Sequence, residues 1–355
     1  MHLAHLRLRD FRNYPRLDAD FSPGFHLLLG NNAQGKTNIL EAIYLLATLR
    51  SFRGVGGAQL VRHGAKGYFV GASVQGVSPH EIKMYWSLAE RKLALDGQAV
   101  RRLTDYLGTL RAVVFCTEDL QLVKGAARAR RRFLDLLLAQ TQPHYLPLLQ
   151  RYAQALRSRN SLLKQRAADP GLLDSFSQEL VTLGTQLTAA RRELLPRISP
   201  LARLAYRRIS NDAEELRLDY KPSVKADFAV ELAHVRDRER TYRTTLIGPH
   251  RDDLSLAVRD LGARAFASHG EAWAAALCLR LGLATAVEAE TGERPVLFLD
   301  DPFSALDPAR QKRISGRLAG RGQVFVSVAD DAYVPDEAAR VWSVAAGALT
   351  ERGAA

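Results

Sequence analysis

The opening of the chain alternates apolar and polar positions over short stretches. Leu3, Leu6 and Leu8 stand among charged residues, a pattern typical of a half-buried strand, and Phe25–Leu29 is a continuous apolar run. Residues 38–49 then carry apolar side chains at helical spacing. These patterns predict two strands and a loop that leads into a helix. Further apolar runs predict short strands at residues 68–74, 82–88 and 112–116.

The pattern changes to that of long helices between residues 144 and 209. Apolar residues recur there in steps of three and four, which places them along one side of each helix. The turn signal Asp169-Pro170-Gly171 divides the stretch in two, and Pro196 and Pro200 are expected to bend the second helix. We predict an antiparallel helical hairpin that projects from the protein. The alternative is an ordinary amphipathic pair packed on the main core.

Strand signals return in the last third of the chain. Val296–Leu299 and Val324–Val328 are continuous apolar runs of the kind that forms buried parallel strands. Together with the opening strands and helix they predict the α/β class. The predicted layout is a head made of residues 1–143 and 246–355. A helical arm, residues 144–245, is inserted between the two parts of this head.

The segment between Phe25–Leu29 and the first helix fits the phosphate-loop pattern Gly-x-x-x-x-Gly-Lys-Thr. Its glycines let successive backbone N–H groups turn inward and form an anion site at the helix N-terminus. Lys36 is expected to act catalytically on the β- and γ-phosphates, and Thr37 to bind Mg²⁺. We therefore predict ATP as the cofactor, held by Gly30, Asn31, Asn32, Ala33, Gln34, Gly35, Lys36, Thr37 and Asn38.

Two adjacent carboxylates follow the apolar run Val296–Leu299. Asp300, at the predicted end of the strand, is the candidate partner of Thr37 in holding Mg²⁺. Asp301 is expected to orient or deprotonate the attacking water. The two acids could instead cap the next helix, since a proline follows directly. Their combination with a phosphate loop favours the catalytic metal site.

Two further motifs resemble those of ABC-type ATPases. Ser268-His269-Gly270-Glu271 opens a long helical pattern and resembles the signature motif, and Ser304-Ala305-Leu306-Asp307 resembles the D-loop. In that class the signature motif of one subunit faces the γ-phosphate held by the other subunit. The resemblance therefore implies that Ser268 and Gly270 contact ATP across a homodimer, helped by Asp307.

Charge points to a polyanionic partner. The 355 residues include 50 basic and 38 acidic ones, a net charge of +12, and arginine far outnumbers lysine. Guanidinium groups match phosphate oxygens in pairs, which is consistent with DNA binding, although a merely solvated basic surface is the alternative. Candidate DNA contacts are Arg50, Arg53, Arg62, the run 124–132, Arg157, Arg159, Lys164, Arg191 and Arg192.

Cysteine content and hydropathy bear on the compartment. Cys116 and Cys278 lie far apart in apolar runs, which excludes a disulfide scaffold and a cysteine-rich zinc site. No apolar stretch is expected to approach the roughly 20 residues of a membrane helix. The N-terminal pattern is that of a strand and not of a signal peptide. We expect a soluble, cytoplasmic protein with no membrane partner.

Several stretches together resemble the RecF family from end to end of the chain. The most specific is Gly248-Pro249-His250-Arg251-Asp252-Asp253-Leu254, because generic ABC heads lack it. The others are Phe11-Arg12-Asn13-Tyr14, residues 30–43, Thr117–Leu120, Lys124-Gly125 and residues 130–135. The resemblance implies an ABC-type P-loop head with a short coiled-coil arm. Arg12 and Tyr14 are candidates for the neighbourhood of the adenine.

The resemblance also implies a function. Proteins of this family bind ATP and DNA in the cytoplasm and act in replication, recombinational gap repair and the SOS response. The chain is then expected to be a clamp on single-stranded, gapped or junction DNA that helps RecA load with RecO and RecR.

Two departures from ABC transporters bear on hydrolysis. No histidine follows Val328, where transporter heads sense the γ-phosphate, and Asp301 stands where many relatives have glutamate. Both changes favour a weak, DNA-stimulated ATPase that acts as a timer. The alternatives are a P-loop phosphotransferase and an ABC ATPase coupled to a membrane transporter.

Overall fold

The computed structural model describes residues 1–165, 169–210, 214–303, 306–329 and 340–352. The chain divides into two compact units. The first consists of Met1–Leu120, Leu201–Glu214 and Ser268–Ala355, and the second of Gln121–Pro200 and Glu215–Ala267.

Strands predominate at the beginning of the chain, and a run of helices between residues 120 and 210 occupies its middle. The strands are β1 (His2–Phe11), β2 (Tyr14–Asp20), β3 (Phe25–Leu29), β4 (Gly67–Gln75), β5 (His80–Ser87), β6 (Arg91–Leu95), β7 (Gln98–Ala99), β8 (Ala112–Phe115), β9 (Leu216–Lys221), β10 (Asp253–Val258), β11 (Leu261–Gly262), β12 (Val296–Asp300), β13 (Val324–Val328), β14 (Arg340–Ala345) and β15 (Ala348–Arg352). The helices are α1 (Lys36–Thr48), α2 (Leu103–Tyr106), α3 (Leu120–Val123), α4 (Ala127–Thr141), α5 (Tyr145–Leu163), α6 (Pro170–Ser210), α7 (Phe228–His234), α8 (Arg236–Tyr242), α9 (Ala263–Phe266), α10 (His269–Thr291) and α11 (Pro308–Leu318).

The first unit contains an antiparallel sheet with the order β2-β1-β4-β5-β6-β7. Leu6 and Leu8 of β1 are buried on its inner face, and Arg7 between them is exposed, which confirms the predicted strand. The prediction of only two strands before the helix was wrong, because β2 pairs with β1 as a hairpin. The apolar residues Tyr14 and Leu17 of β2 are three positions apart, so simple alternation does not reveal that strand.

The first unit also contains a mixed sheet with the order β15-β14-β3-β13-β12-β8. All neighbouring strands in it are parallel except the edge pair β14–β15. The central strands are buried along their length, as the continuous apolar runs predicted. Helix α1 contacts strands of both sheets, and its side chains join one hydrophobic core with them.

The second unit is built on the antiparallel helical pair α5 and α6. Arg159 Nε donates to Ser177 Oγ at 2.9 Å, and a Cβ atom at Gly184 would lie 3.1 Å from the ring of Tyr152. Because a lower-numbered residue of α5 meets a higher-numbered residue of α6, the two helices run in opposite directions, as predicted. Pro196 and Pro200 lie inside α6. A small antiparallel sheet, β11-β10-β9, completes the unit with α4, α7, α8 and α9.

The limits of the two units differ from the predicted boundaries at 143/144 and 245/246. Helix α4 contacts β10 and therefore groups with the second unit. The end of α6 groups with the first unit, because Ala202 packs against α10 where Gly282 has no side chain. A Cβ atom at Gly282 would lie 2.9 Å from the backbone nitrogen of Ala202.

Among the described helices, α10 is long and apolar enough to cross a membrane by length and composition alone. The expectation that no stretch approaches that length was therefore wrong. Of its most apolar window, 78% is buried inside the protein, which is typical of a core helix. Arg280 in the middle of α10 is buried and pairs with Asp119, with 2.6 Å between the guanidinium and the carboxylate.

Candidate functional site

The predicted phosphate loop connects β3 to α1, and two of its positions accept only glycine. Gly35 has φ 116°, in the left-handed region, and a Cβ atom there would lie 2.7 Å from Tyr14 Oη and from Asn13 Nδ2. A Cβ atom at Gly30 would lie 2.2 Å from the carbonyl oxygen of Val344. The loop thus packs directly against β14 and the β1–β2 turn, which leaves no room for side chains at these positions.

The β1–β2 turn supports the loop from one side. Asn13 Nδ2 donates to the Gln34 carbonyl at 2.9 Å and Asn38 Nδ2 donates to Asn13 Oδ1 at 2.8 Å. The Tyr14 hydroxyl donates to the Gly35 carbonyl at 3.2 Å. Asn13 was not singled out as a site residue, although it belongs to the motif Phe11-Arg12-Asn13-Tyr14 that carried the family resemblance. Its role is to position the loop.

Tyr14 does not offer the contact with adenine predicted for it, whereas the same expectation for Arg12 stays a prediction. Tyr14 is completely buried, so its ring presents no surface on which an adenine could stack. Arg12 Nε donates to the buried carboxylate of Glu41 at 2.8 Å, and Ser51 also donates to that carboxylate. Arg12 therefore anchors the β1–β2 turn to α1, and Tyr14 anchors it to Gly35 at the start of that helix.

A cavity of about 240 Å³ opens beside the loop. It is lined by Asn32, Ala33, Gly35, Lys36, Thr37, Asn38, Arg53, Thr117, Asp300, Asp301, Ser327 and Ala329. The structure therefore brings the phosphate loop together with both predicted carboxylates. Arg53, Thr117, Ser327 and Ala329 were not predicted for this site. Ser327 had a signal, since it is a polar residue inside an otherwise apolar buried strand.

Lys36 is largely buried at this cavity. Its ammonium group donates to the carbonyls of Gly30 and Asn31, the latter at 2.9 Å. Burial lowers the pKa of Lys36 below its usual value, and the negative charges of Asp300 and Asp301 act in the opposite direction. The lysine therefore lies in a position where an added phosphate charge would stabilise its protonated form.

Thr37 and Asp300 meet at the bottom of the cavity. Thr37 Oγ1 donates to Asp300 Oδ1 at 2.8 Å, and Ser327 Oγ donates to the same oxygen at 2.6 Å. Asp300 is the last residue of β12, as predicted, and β13 separates this strand from β3. A hydroxyl and a carboxylate are the hard oxygen donors that Mg²⁺ prefers, so the pair fits that ion.

Asp301 follows Asp300 with φ 50°, a conformation that aspartate tolerates better than most residues. Its backbone N–H donates to Ser327 Oγ at 3.1 Å, and its side chain lines the cavity. The alternative that Asp301 caps the next helix is not supported. Asp307 is the N-cap of α11, since its carboxylate accepts from the backbone N–H of Arg310 at 2.9 Å. Ser304 and Ala305 of the predicted D-loop lie outside the described residues.

The predicted signature motif lies at the N-terminus of α10. Ser268 is the exposed N-cap residue: its hydroxyl accepts from the Glu271 N–H at 3.3 Å, and its own N–H donates to Glu271 Oε2 at 2.6 Å. Ser268 and Gly270 are not among the residues that line the cavity. Within one chain, the structure does not bring the signature motif to the phosphate loop.

Comparison with known proteins identifies the family. Residues 2–346 match the family described as RecF/RecN/SMC N terminal domain. A relative from Symbiobacterium thermophilum, named DNA replication and repair protein RecF, is 39% identical over 344 residues, which cover 93% of this chain and 92% of the relative. The chain belongs to the RecF family.

Solved structures support the RecF assignment. The structure of the recombination mediator protein RecF bound to ATP is 29% identical, has a TM-score of 0.92, and covers 99% of this chain and 98% of that chain. An SMC head domain from Pyrococcus furiosus shares the fold at 17% identity, with a TM-score of 0.60 over 99% of this chain and 96% of that one. The predicted fold is thus confirmed as an ABC-type ATPase head with an inserted helical arm.

The motif beginning at Gly248, which contributed to the family resemblance, is part of a buried polar network in the second unit. A Cβ atom at Gly248, which has φ 124°, would lie 2.7 Å from the hydroxyl of Tyr152. That hydroxyl bonds His250 Nδ1 at 2.7 Å, and His250 Nε2 lies 3.2 Å from the Thr245 carbonyl. Asp252 is fully buried and accepts from the hydroxyl of Tyr220. The motif therefore holds parts of the second unit together, and none of its residues lines the cavity.

Several predicted DNA contacts are wrong. Arg130, Arg159 and Arg191 are buried, and each pairs with a carboxylate: Asp253 at 2.7 Å, Glu239 at 2.6 Å and Asp135 at 2.8 Å, respectively. A buried arginine held by a carboxylate cannot reach a DNA backbone, and loss of either partner would leave an unpaired charge inside the protein. The exposed candidates are Arg50, Arg53, Arg128, Arg157, Lys164 and Arg192, of which Arg53 also lines the cavity.

Proposed function

We propose that this chain is an ATP-dependent DNA-binding clamp. Two copies close on ATP, and hydrolysis releases them. The proposal is supported by membership in the RecF family, by the cavity that joins the phosphate loop to Asp300 and Asp301, and by the ATP-bound structure of a RecF relative.

Roles at the cavity follow from the positions of the side chains. The loop residues Gly30–Asn38 would hold the phosphates, with Lys36 supplying the charge. Thr37 and Asp300 would hold Mg²⁺, and the bound ion would neutralise charge on the phosphates. Asp301 would orient the attacking water. A single aspartate in that role, shorter than glutamate by one methylene, favours slow hydrolysis that DNA could stimulate.

Dimerisation is proposed from the position of Ser268. It is exposed at the N-terminus of a 23-residue helix and lies outside the cavity of its own chain. The N-terminus of a helix is favourable for a phosphate, because its N–H groups and dipole both attract negative charge. If Ser268 and Gly270 contact ATP, they must contact the nucleotide of a second copy. This observation carries the proposal of an ATP-dependent homodimer, in which Asp307 would assist.

DNA is the proposed partner of the closed dimer. The net charge of +12 and the exposed arginines suit a polyanion. We propose single-stranded, gapped or junction DNA as the substrate, in the cytoplasm, with a role in replication, gap repair and SOS induction. We also propose, from the resemblance to the RecF family, that the protein helps RecA to load together with RecO and RecR. Neither a phosphotransferase nor a transporter-coupled ATPase is supported by the relatives described above.

The test compares two variants of the same site. Lys36→Met should abolish ATP binding, since it removes the cation that faces the phosphates. Ser268→Arg should retain ATP binding but prevent ATP-dependent dimerisation, because a bulky cation would replace the small hydroxyl at the shared nucleotide. Calorimetric titration measures ATP binding by each variant. Equilibrium sedimentation with and without ATP measures the fractions of monomer and dimer.

The matched control is Ser78→Arg, which adds an arginine on an exposed turn between β4 and β5. This variant should dimerise like the wild type. Normal ATP-dependent dimers from Ser268→Arg would refute the trans site. If the wild type also stays monomeric with ATP, the clamp proposal itself fails.

A further inference from the structure

The outer face of the antiparallel sheet carries a row of cationic and aromatic side chains. Strand registers pair Arg16 with Arg9, Arg9 with Phe69, Phe69 with Tyr85, and Tyr85 with Lys92. These residues therefore form one line across β2, β1, β4, β5 and β6, on the face opposite Leu6 and Leu8. We call this line the outer row. Residues directly opposite each other on neighbouring strands have Cβ atoms about 5 Å apart.

Glycines beside the two aromatic rings let them lie along the sheet. The outward positions on β4 next to Phe69 are Gly67 and Gly71. A Cβ atom at Gly71 would lie 2.9 Å from Phe69 Cζ, and one at Gly67 would lie 3.3 Å from Tyr85 Oη. Tyr85 is 39% exposed, although it lies in the middle of a sheet. The two rings thus lie close to the plane of the sheet, and the ring of Tyr85 is accessible to solvent.

Cationic charge is concentrated at the β1–β2 end of the outer row. Arg7, Arg9 and Arg16 all donate to Asp18, at 3.0, 2.9 and 3.0 Å. Three guanidinium groups around one carboxylate leave two positive charges in excess. The carboxylate holds the guanidinium groups in place, and the side chains of Arg7 and Arg16 are 47% and 74% exposed.

The opposite end of the row is balanced in charge. Lys83 pairs with Glu81 and Lys92 pairs with Glu90, each at 2.7 Å. Beyond Arg7 on β1, the exposed Asp20 bonds His5, which is charged only when protonated, so Asp20 offsets part of the arginine charge at that edge. A polyanion on this face would therefore place its charge at the three arginines and its uncharged part over the rings.

We propose that the outer row binds a single-stranded segment of nucleic acid. Its bases would stack on Tyr85 and Phe69, and its phosphates would contact Arg9 and Arg16 of the row together with the adjacent Arg7. Exposed aromatic rings beside a cationic groove are the general means of binding single strands, because every unpaired base has a free face. Paired bases inside a duplex cannot reach the rings, so duplex DNA would gain only the phosphate contacts.

This inference rests on the proposed DNA-binding function, but it requires neither ATP nor a second copy of the chain. It assigns a single-strand contact to the head itself, on a sheet separate from the cavity-lining residues. It also gives a reason for the exposed Tyr85 and the half-buried Phe69 on a face where alternation would suit polar residues.

The test measures binding of labelled oligo-dT and of a duplex of equal length by fluorescence anisotropy, without nucleotide, over a salt series. Tyr85→Leu should weaken oligo-dT binding by at least about fivefold, the lower range for loss of one stacked base. Its salt dependence should not change, and duplex binding should remain as in the wild type. Tyr85→Phe keeps the ring and should bind oligo-dT like the wild type.

The arginines are tested by the double variant Arg9→Gln, Arg16→Gln. For single strands each lost phosphate contact lowers the slope of log affinity against log salt by about 0.7, so the slope should fall by about 1.4. Lys312→Gln removes an exposed charge from α11 and serves as the control.

The outcomes separate the two proposals. Wild-type affinity for oligo-dT in both Tyr85→Leu and the arginine double variant would overturn the outer row as a binding surface, while DNA binding elsewhere would stand. A Tyr85→Leu loss equal on oligo-dT and duplex would also overturn it, since stacking would not be its cause. No binding of any DNA by the wild type, with or without ATP, would refute the proposed function itself.

Discussion

Thr37 donates a 2.8 Å hydrogen bond to Asp300, although the two residues are 263 positions apart in the chain. Thr37 is on the first turn of α1, and Asp300 ends a strand of the mixed sheet. Ser327, on the strand between, donates to the same carboxylate oxygen at 2.6 Å. Three segments thus converge on one carboxylate, and the convergence supplies the oxygen donors for a divalent cation.

The first prediction concerns this pair. Thr37→Val removes the hydroxyl but nearly keeps the shape of the side chain. We expect the Mg²⁺-dependent part of ATP affinity to fall by about 1.5–3 kcal/mol, the value of a hydrogen bond or ligand contact to a charged group. Calorimetric titration of ATP with Mg²⁺ and with excess EDTA measures this part. Thr48→Val, at the far end of the same helix, is the control and should leave affinity unchanged. An equal loss in EDTA would argue against a metal role for Thr37.

The second prediction distinguishes two neighbouring arginines of α5. Arg159 is buried and paired with Glu239 at 2.6 Å, whereas Arg157 is exposed. Arg159→Met should lower the free energy of unfolding by about 3–5 kcal/mol, because it leaves the Glu239 carboxylate buried without its partner. Urea denaturation measures the change. Arg157→Met should be nearly neutral in stability.

A further variant tests the cause of that loss. Adding Glu239→Gln to Arg159→Met removes the unpaired charge, so part of the stability should return. A double variant that is less stable than Arg159→Met alone would show that lost packing, and not the buried charge, dominates.

The third prediction is a pH dependence of stability. Burial lowers the pKa of His250 to about 4, against 6.5 for an exposed histidine. Between these values the unfolded chain binds the proton more readily than the folded one, so stability falls as pH falls from about 6.5 towards 4. The loss from this group reaches about 3 kcal/mol and does not increase further below pH 4.

The structural reason is that His250 acts in its neutral form. With Nε2–H donating to the Thr245 carbonyl, Nδ1 accepts from the Tyr152 hydroxyl, and protonation would remove that acceptor. His250→Gln should therefore be less stable at pH 7 but should show a flatter decline on acidification. His26 has a pKa lowered mainly by burial and adds a decline of the same sign. Parallel curves for the wild type and His250→Gln would contradict the assignment to His250.

The fourth prediction separates two roles of Asp307. As the N-cap of α11, its replacement by alanine should cost about 0.5–2 kcal/mol of stability, and Asp307→Asn should cost little because asparagine caps equally well. A contact with ATP across a dimer would need the charge itself. If Asp307→Asn is stable but shows weaker ATP-dependent association by sedimentation, both roles apply. Unchanged association would leave only the cap.

Local sequence patterns were sufficient to predict the strand and the helix that flank the phosphate loop. The apolar run before Gly30 and the helical spacing after it predicted β3 and α1, and the carboxylates after Val296–Leu299 predicted the end of β12. Such runs are informative because a strand covered on both faces must be apolar throughout. Strand β2 was missed, because the spacing between Tyr14 and Leu17 departs from alternation.

Charge taken from the sequence was a poor guide to surface contacts. Arg159 and Arg191 looked like solvent-exposed arginines of a helical arm, but both are buried in ion pairs with distant residues. The motif beginning at Gly248 likewise marked the family correctly but gave no sign that its histidine and aspartate are internal. Only the fold shows whether a carboxylate lies opposite a given arginine.

The sequence alone determined the class of the fold, the phosphate loop and the family, because each is carried by short stretches that can be recognised one at a time. Tertiary structure decided which distant side chains share a site: that Ser327 joins Thr37 and Asp300, that Ser268 lies outside its own chain's cavity, and that Tyr85 and the arginines of β1 and β2 form one row. The physical reason is that hydrogen bonds and ion pairs act over a few ångströms in space, whereas periodicity in a sequence reports only which face of an element is covered.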